Sequence, residues 1–264
     1  MYLKDYGHGL RTIGEGSDSV VRLYKKKDKL YAIKEIKCSI FAKKQIVKQL
    51  CKKLIGEYCV ESTLDHPNII KPIEMLVVNG KCYEVMEYYP EGDLFNHILN
   101  DNIDVLLGYY SQLVDGLYYI HHTGVAHCDI KPENLLINSE FTLKIADFGI
   151  CHIFHEPWST RDQLNNKKVG TLPYMSPEEF TDALFDSKKA DLWACGVILY
   201  TLFMKHLPWL KAHRLDKNYI SYRCNGFDAN VCKVIPQKYI NILNKTFAAN
   251  PSKRINVDEL RAII

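Results

Sequence analysis

The stretch His127-Cys128-Asp129-Ile130-Lys131-Pro132-Glu133-Asn134, followed thirteen residues later by Asp147-Phe148-Gly149, decides how this chain is read. It holds a carboxylate able to act as a base and a lysine two residues on. It also holds a carboxamide and a second carboxylate whose oxygens suit a hard cation. That set at that spacing suits transfer of the terminal phosphate of ATP. A bare turn followed by a strand end does not account for so many polar positions kept in one register.

Composition sets the outer bounds. At 264 residues, 47% hydrophobic and 25% charged, the chain has a globular balance and enough length for one large domain or two small ones. A net charge of +3, from 34 basic and 31 acidic residues, is too slight to imply a nucleic-acid or membrane partner. The cysteines number nine, an odd count with no C-x-x-C pair, which favours free thiols in a reducing interior over a disulfide frame or a zinc site. Met1-Tyr2-Leu3-Lys4-Asp5 carries no apolar run of the secretory kind, and the run from Leu192 to Met204 is too short to span a bilayer. The expectation is a monomer in the cytoplasm, and also in the nucleus.

No repeat, low-complexity tract or long linker interrupts the chain, so a single domain over 1–264 with two lobes is expected. Two strand-like pieces flank a glycine turn at Gly14-Glu15-Gly16, and Lys29 to Ile36 alternates polar and apolar residues. From Ala42 to Thr63 the period changes, with Ile46, Leu50, Leu54 and Tyr58 four apart and Lys43, Lys44, Lys48, Lys52 and Lys53 mostly off that stripe. This predicts an amphipathic helix with a solvated basic face. Lys81 to Met86 reads as a strand, and Tyr88-Tyr89-Pro90-Glu91-Gly92 as a hinge. Beyond it Leu106, Tyr110, Leu113, Leu117 and Ile120 repeat at three and four, with Gly124 placed as a C-terminal cap. Leu135 to Ile137 and Leu143 to Ile145 are short strand candidates, and the pattern after Ser187 is helical. The class is α+β: a small β-rich lobe with one long helix, about 1–87, then a larger helical lobe, about 88–264.

Lys34, at the centre of a predicted strand, has two candidate partners. Glu57 lies seven residues after Leu50, about 20° from it around the helix, so it falls on the apolar face. An ionised glutamate there is costly unless paired. Glu61 shares that face and is the rival partner.

Gly14-Glu15-Gly16-Ser17-Asp18-Ser19-Val20-Val21, Ala32-Ile33-Lys34, the stretch from His127 to Asn134 and Asp147-Phe148-Gly149, taken in order, resemble the catalytic domain of eukaryotic serine/threonine protein kinases. The likeness runs from the glycine loop to Arg254 and implies the bilobal kinase fold. It implies ATP and Mg²⁺ as cofactors and protein substrates bearing serine or threonine. It selects Glu57 over Glu61 as the partner of Lys34. By the same resemblance Asp129 is the base or orienting group for the substrate hydroxyl and Lys131 offsets charge at the γ-phosphate. Asn134 and Asp147 hold the metal, and Thr171 contacts Asp129 and Lys131. Ile13, Gly14, Glu15 and Gly16 approach the phosphates. Val21, Ala32 and Leu136 sandwich the adenine, and Met86, Glu87 and Tyr89 form the gatekeeper and hinge. Asp93 is a ribose contact or only a helix N-cap. Glu178 is expected to pair with Arg254, and Asp191 to brace the catalytic loop through its backbone.

Three departures matter. Ser19 replaces the third glycine of the loop, Cys128 replaces the arginine before the catalytic aspartate, and Glu61 stands where an apolar spine residue is usual. The usual phosphosite falls at Lys167, so activity without activation-loop phosphorylation is expected. Within the family, Glu57 to Ile70, Tyr83 to Tyr88 and Phe154-His155-Glu156-Pro157-Trp158 resemble the fungal kinases that regulate nutrient permeases and salt tolerance. Gly170 to Tyr174 and Leu207-Pro208-Trp209 are similar to checkpoint kinases. Signalling in nutrient and ion transport, or in checkpoint control, follows as the expected role. Glu133 and Asp93 predict a taste for basic residues upstream of the target. The rival from another class is a pseudokinase scaffold that binds nucleotide without transfer.

Overall fold

A computed structural model describes residues 3–15, 19–36, 44–79, 81–156, 158–181 and 183–264. Gly16, Lys43 and Pro157 therefore lie outside the described residues, as do the side chains of Ile46 and Leu50. The chain forms two compact units, Met1–Pro90 and Glu91–Ile264.

In the first unit, β1 (His8–Glu15), β2 (Ser19–Lys26), β3 (Lys29–Ile36), β4 (Pro72–Val78) and β5 (Lys81–Glu87) make one antiparallel sheet in the order β1-β2-β3-β5-β4. The long helix α1 (Lys44–Thr63) packs on β3, β4 and β5. Side chains alternate between the faces of a strand, so cross-strand register decides which residues meet. Val21 faces Lys34, Lys34 faces Glu84, and Ala32 faces Met86. These five therefore share one face of the sheet. Ile33, Val85 and Leu76 occupy the other, in a small core with Tyr6, Tyr24, Tyr31 and Tyr83. β4 is an addition to the sequence expectation: its apolar residues do not alternate cleanly, and a register shift between Pro72 and Glu74 breaks the pattern.

The second unit runs through α2 (Leu94–Ile98), α3 (Ile103–His122), β6 (Val125–Ala126), β7 (Leu135–Ile137), β8 (Leu143–Ile145), β9 (His152–Ile153), α4 (Ser187–Met204), α5 (Lys217–Asn225), α6 (Ala229–Val234), α7 (Gln237–Thr246) and α8 (Val257–Arg261). β7 pairs with β8 as a short hairpin, and β6 with β9. Polar side chains accept from the first-turn amides of most helices: Asp93 on α2, Asn102 on α3, Asp186 on α4, Asp216 on α5, Asp228 on α6 and Asn256 on α8. Each such cap contributes about 1 kcal/mol. α3 buries the predicted stripe Leu106, Tyr110, Leu113, Leu117 and Ile120, and Gly124 ends it at φ +84°. α4 is buried nearly all round because α3 and α7 pack against it. Gly196 permits the approach of α7, since a Cβ there would lie 2.5 Å from the Thr246 hydroxyl. Trp193, Trp209, Tyr219, Tyr222 and Phe247 interlock beside it with ring centroids from 4.9 to 6.2 Å apart. Among the described residues no helix is long and apolar enough to cross a membrane.

Candidate active site

The first unit contributes an ion pair set on the α1 face of the sheet. Lys34 of β3 donates to Glu57 of α1, which is 6% exposed. Helical spacing chose Glu57 and Glu61 equally; the tertiary contact pairs Lys34 with Glu57. Glu61 is buried too, and its neighbour is a residue that sequence reasoning missed. Glu84, from β5, is fully buried directly across from Lys34, and its two carboxyl oxygens have no hydrogen-bond donor among the described residues. Burial first, and then the Glu84 carboxylate beside it, hold the Glu61 carboxyl well above the usual carboxylate range. Only the β3–β5 register puts Glu84 there, and nothing local in Tyr83-Glu84-Val85 announces it.

Around that pair, Ala32 is buried while Ile13, Gly14, Val21 and Met86 are half-buried. Glu15 and Glu87 are exposed, and Tyr89 is buried. Gly16 falls outside the described residues.

The second unit contributes a hydrogen-bonded loop. Asp129 is the hub: its Oδ1 accepts from the Thr171 hydroxyl at 2.8 Å and its Oδ2 from Lys131 Nζ at 2.6 Å. Lys131 also donates to Thr171 Oγ1 at 2.9 Å, closing a three-membered ring of side chains. Asn134 Nδ2 donates to the Asp129 carbonyl at 2.9 Å and to Oδ2 at 3.2 Å. With its amide nitrogen committed to Asp129, Asn134 presents its oxygen. Asp191, at the buried start of α4, accepts from the backbone N–H groups of His127 and Cys128, each at 2.8 Å, and meets His121 Nε2 at 2.9 Å. This is the brace that the resemblance implied.

His127 was not singled out from sequence, yet it links the two motifs. Its Nδ1 accepts from the Asp129 amide at 3.2 Å, so Nε2 carries the hydrogen and donates to the Ala146 carbonyl at 3.0 Å. The ring stands edge-on to Phe148 at 4.8 Å. The Ala146 amide returns a bond to the Asn134 carbonyl at 2.9 Å. Asp147 is thereby presented beside Asn134. Cys128 and Asp147 both sit at φ +67°, in the left-handed region where strain collects at working loops.

Asn134 and Asp147 offer one amide and one carboxylate oxygen. Among the described residues no group of three or more His, Cys, Asp or Glu surrounds a common point. That donor set fits Mg²⁺, which takes one or two protein oxygens and completes its shell with phosphate and water. It does not fit a metal caged by protein alone. Asp93 is the N-cap of α2, accepting from the Asn96 amide at 3.1 Å, and it bridges in antiparallel fashion to Leu136.

Two structural pairs complete the unit. Arg254 forks onto Glu178, NH1 to Oε1 at 2.5 Å and NH2 to Oε2 at 2.9 Å. Near Cys128 a buried asparagine takes part: Asn165 exchanges backbone bonds with Phe185 at 2.8 and 2.9 Å, accepts from the Lys167 amide at 3.0 Å and points Nδ2 at the Cys128 sulfur at 4.0 Å.

A bilobal α+β chain with an Asp-Lys-Thr hub and an adjacent Asn/Asp pair has the architecture of a protein-kinase domain. The chain belongs to the protein kinase domain family, whose model matches residues 8–262. It is 34% identical over 235 residues to the serine/threonine-protein kinase HAL4/SAT4 of Saccharomyces cerevisiae, covering 84% of this chain and 38% of that protein. It is 36% identical to the serine/threonine-protein kinase hal4 of Schizosaccharomyces pombe, over 83% of this chain and 36% of the relative. Against the nitrogen permease reactivator protein of S. cerevisiae the identity is 32%, over 83% of this chain and 28% of the relative. The chain thus spans well under half the length of these relatives.

Proposed function

We propose that the chain is a serine/threonine protein kinase that moves the γ-phosphate of ATP to a protein hydroxyl and needs no phosphate on its activation segment. The observation that carries the first part is the Asp129 hub. A carboxylate held at both oxygens by Thr171, Lys131 and Asn134 is fixed in position before any substrate arrives. As the substrate oxygen attacks phosphorus, its proton passes to the Asp129 carboxylate and ADP leaves with the electrons of the broken P–O bond. Lys131 balances charge at the moving phosphoryl group. Lys34, kept in place by Glu57, binds the phosphates on the leaving side. Asn134 and Asp147 would hold Mg²⁺, which would supply charge neutralisation for the transferring phosphate. Val21, Ala32 and Leu136 would cover the adenine, Ile13, Gly14, Glu15 and Gly16 would lie over the phosphates, and Met86, Glu87 and Tyr89 would receive the adenine edge. Asp93 would contact the ribose in addition to capping α2.

The second part is supported by Cys128, where the family's usual phosphate-gripping arginine is missing, and by Asn165, which ties the segment to Phe185 without charge. Exposed Glu133 supports a basic residue upstream of the target. The likeness to the nitrogen permease reactivator protein supports a role in nutrient transport over one in checkpoint control.

The deciding experiment is radiolabelled transfer from ATP to a serine/threonine peptide array by the wild type and by Asp129→Asn. Transfer by the wild type alone supports the enzyme; transfer by neither favours a nucleotide-binding scaffold. Phosphatase treatment that abolishes activity through a site between Asp147 and Glu178 would overturn the phosphate-independent segment.

A further inference from the structure

Between α4 and α5 the loop from Trp209 to Asp216 carries apolar side chains that the fold neither buries nor leaves free to fold back. Leu210 and Leu215 are each 74% exposed. Asp216 draws the two ends of the loop together. Its Oδ2 accepts from the Leu210 and Lys211 amides at 2.9 and 3.2 Å, and its Oδ1 from the Asn218 and Tyr219 amides at 3.0 and 3.1 Å. The Asp216 amide donates to the His213 carbonyl at 2.9 Å, and the Leu215 amide to the His213 ring at 3.3 Å. Trp209 and Ala212 are buried and anchor the loop from below. A backbone bonded so fully cannot turn over to hide two leucines, so their exposure is a fixed property of this surface. Ile220, 40% exposed, extends the apolar strip one turn into α5, on the same side as Lys217.

Charge is the second, independent observation. Between Asp191 and Asp228 the sequence holds one acid, Asp216, and the backbone amides already occupy its carboxylate. The same stretch sets Lys211, Arg214, Lys217 and Arg223 around the leucines, and none of these makes an ion pair among the described residues. Lys205 is turned instead to the Ile98 carbonyl at 2.5 Å. Four cations against one acid give this short stretch as much net charge as the whole chain, +3. The slight average over 264 residues therefore conceals a basic face with leucines at its centre.

We infer that this loop and the start of α5 dock the chain on a bilayer surface rich in anionic lipid. Leu210 and Leu215 enter the boundary between headgroups and acyl chains, while Lys211, Arg214, Lys217 and Arg223 lie at the level of the anionic headgroups. The apolar groups stand out from the surface instead of lining a recess, which suits insertion into a soft layer; a peptide anchor needs a pocket to receive it. Nucleic acid would meet the cations and leave the leucines in water. The chain lies on such a surface without crossing it. Docking here requires no phosphate transfer, so it stands or falls separately from the proposed activity.

The test is co-sedimentation of the whole chain with vesicles of phosphatidylcholine alone and of equal parts phosphatidylcholine and phosphatidylserine. Binding to the anionic vesicles only, weakening as salt is raised, is expected. Arg214→Gln with Lys217→Gln should lower the partition coefficient about thirtyfold, near fivefold for each cation removed. Leu210→Ser with Leu215→Ser should lower it by at least about tenfold. Both leucines are already exposed, so that double variant should melt at the wild-type temperature, and lost binding then reports the surface and not the fold. Binding to neither vesicle, equal binding to both, or binding that survives loss of the leucines overturns the inference. So does capture of a leucine-bearing polyglutamate peptide, measured by fluorescence polarisation and lost in both variants, when vesicles are ignored; that result would assign the face to an acidic protein.

Discussion

Removing the carboxylate from Glu178 tests how the large unit is held together. Arg254 is wholly enclosed, with 0% of its side chain exposed. Beyond its fork onto Glu178, NH1 donates to the Lys189 carbonyl at 2.7 Å, Nε and NH2 each reach the Ala248 carbonyl at 3.1 Å, and the guanidinium lies 5.0 Å over Trp193. In Glu178→Ala the cation stays buried without its counter-charge. Breaking a buried pair from one side costs roughly 3–5 kcal/mol. The surviving carbonyl bonds still solvate the cation in part, which sets the expected loss near the lower end, about 3 kcal/mol. At roughly 2–4 °C per kcal/mol for a chain of this size, the melting temperature falls by about 6–12 °C. Thermal and urea unfolding followed by circular dichroism measure it. The double change Glu178→Leu with Arg254→Met removes both charges and should recover more than half of that loss. A single variant within about 1 kcal/mol of wild type, or a double variant no better than the single, refutes the account.

Burial pushes the Glu179 carboxyl up to about 7 against the opposing bonds from the Ser176 amide and hydroxyl at 2.6 and 2.7 Å. Its folded pKa is raised, so its stabilising contribution is complete below about pH 4.5 and is lost as pH rises through 7. The full swing is about 3 kcal/mol, and Glu179→Gln should flatten the stability profile across that window. Glu61→Leu removes a buried acid and should be neutral or stabilising by roughly 1–2 kcal/mol. Because burial holds the Glu61 carboxyl above the usual carboxylate range, the gain should grow as pH rises, larger at pH 9 than at pH 6 in paired thermal melts; a loss at both values counts against that burial cost. Thr171→Val deletes the hydroxyl between Asp129 and Lys131 and should lower kcat about 10–100-fold with KM for ATP nearly unchanged. Peptide-phosphorylation kinetics would contradict this if KM alone moved.

Motifs in order along the chain, and the family resemblance they carry, singled out the residues of the proposed site. Asp129, Lys131, Asn134 and Asp147 are legible because they fall within two short motifs, and the hydrogen bonds that tie Asp129 to Lys131 and Asn134 are made within five residues. The helices α3 and α4 and the cap at Gly124 are legible because periodicity and capping are local properties. Asp93 was left open between ribose contact and cap; its bond from the Asn96 amide makes it the cap of α2, a role that leaves the proposed ribose contact open. Other matters depended on which strands and helices come to lie together. Glu57 and Glu61 are equivalent on a helical wheel; the family resemblance selected the first, and its packing on β3 is what makes the pair with Lys34. Glu84 becomes a buried acid through the β3–β5 register, His127 becomes a tie between two motifs through the Ala146 carbonyl, and Asn165 meets Cys128 across a fold of the activation segment. A sequence determines whatever is set by neighbours a few residues away. Burial, register and the partners of charged groups are set by chain segments tens of residues apart, and only the tertiary structure decides those.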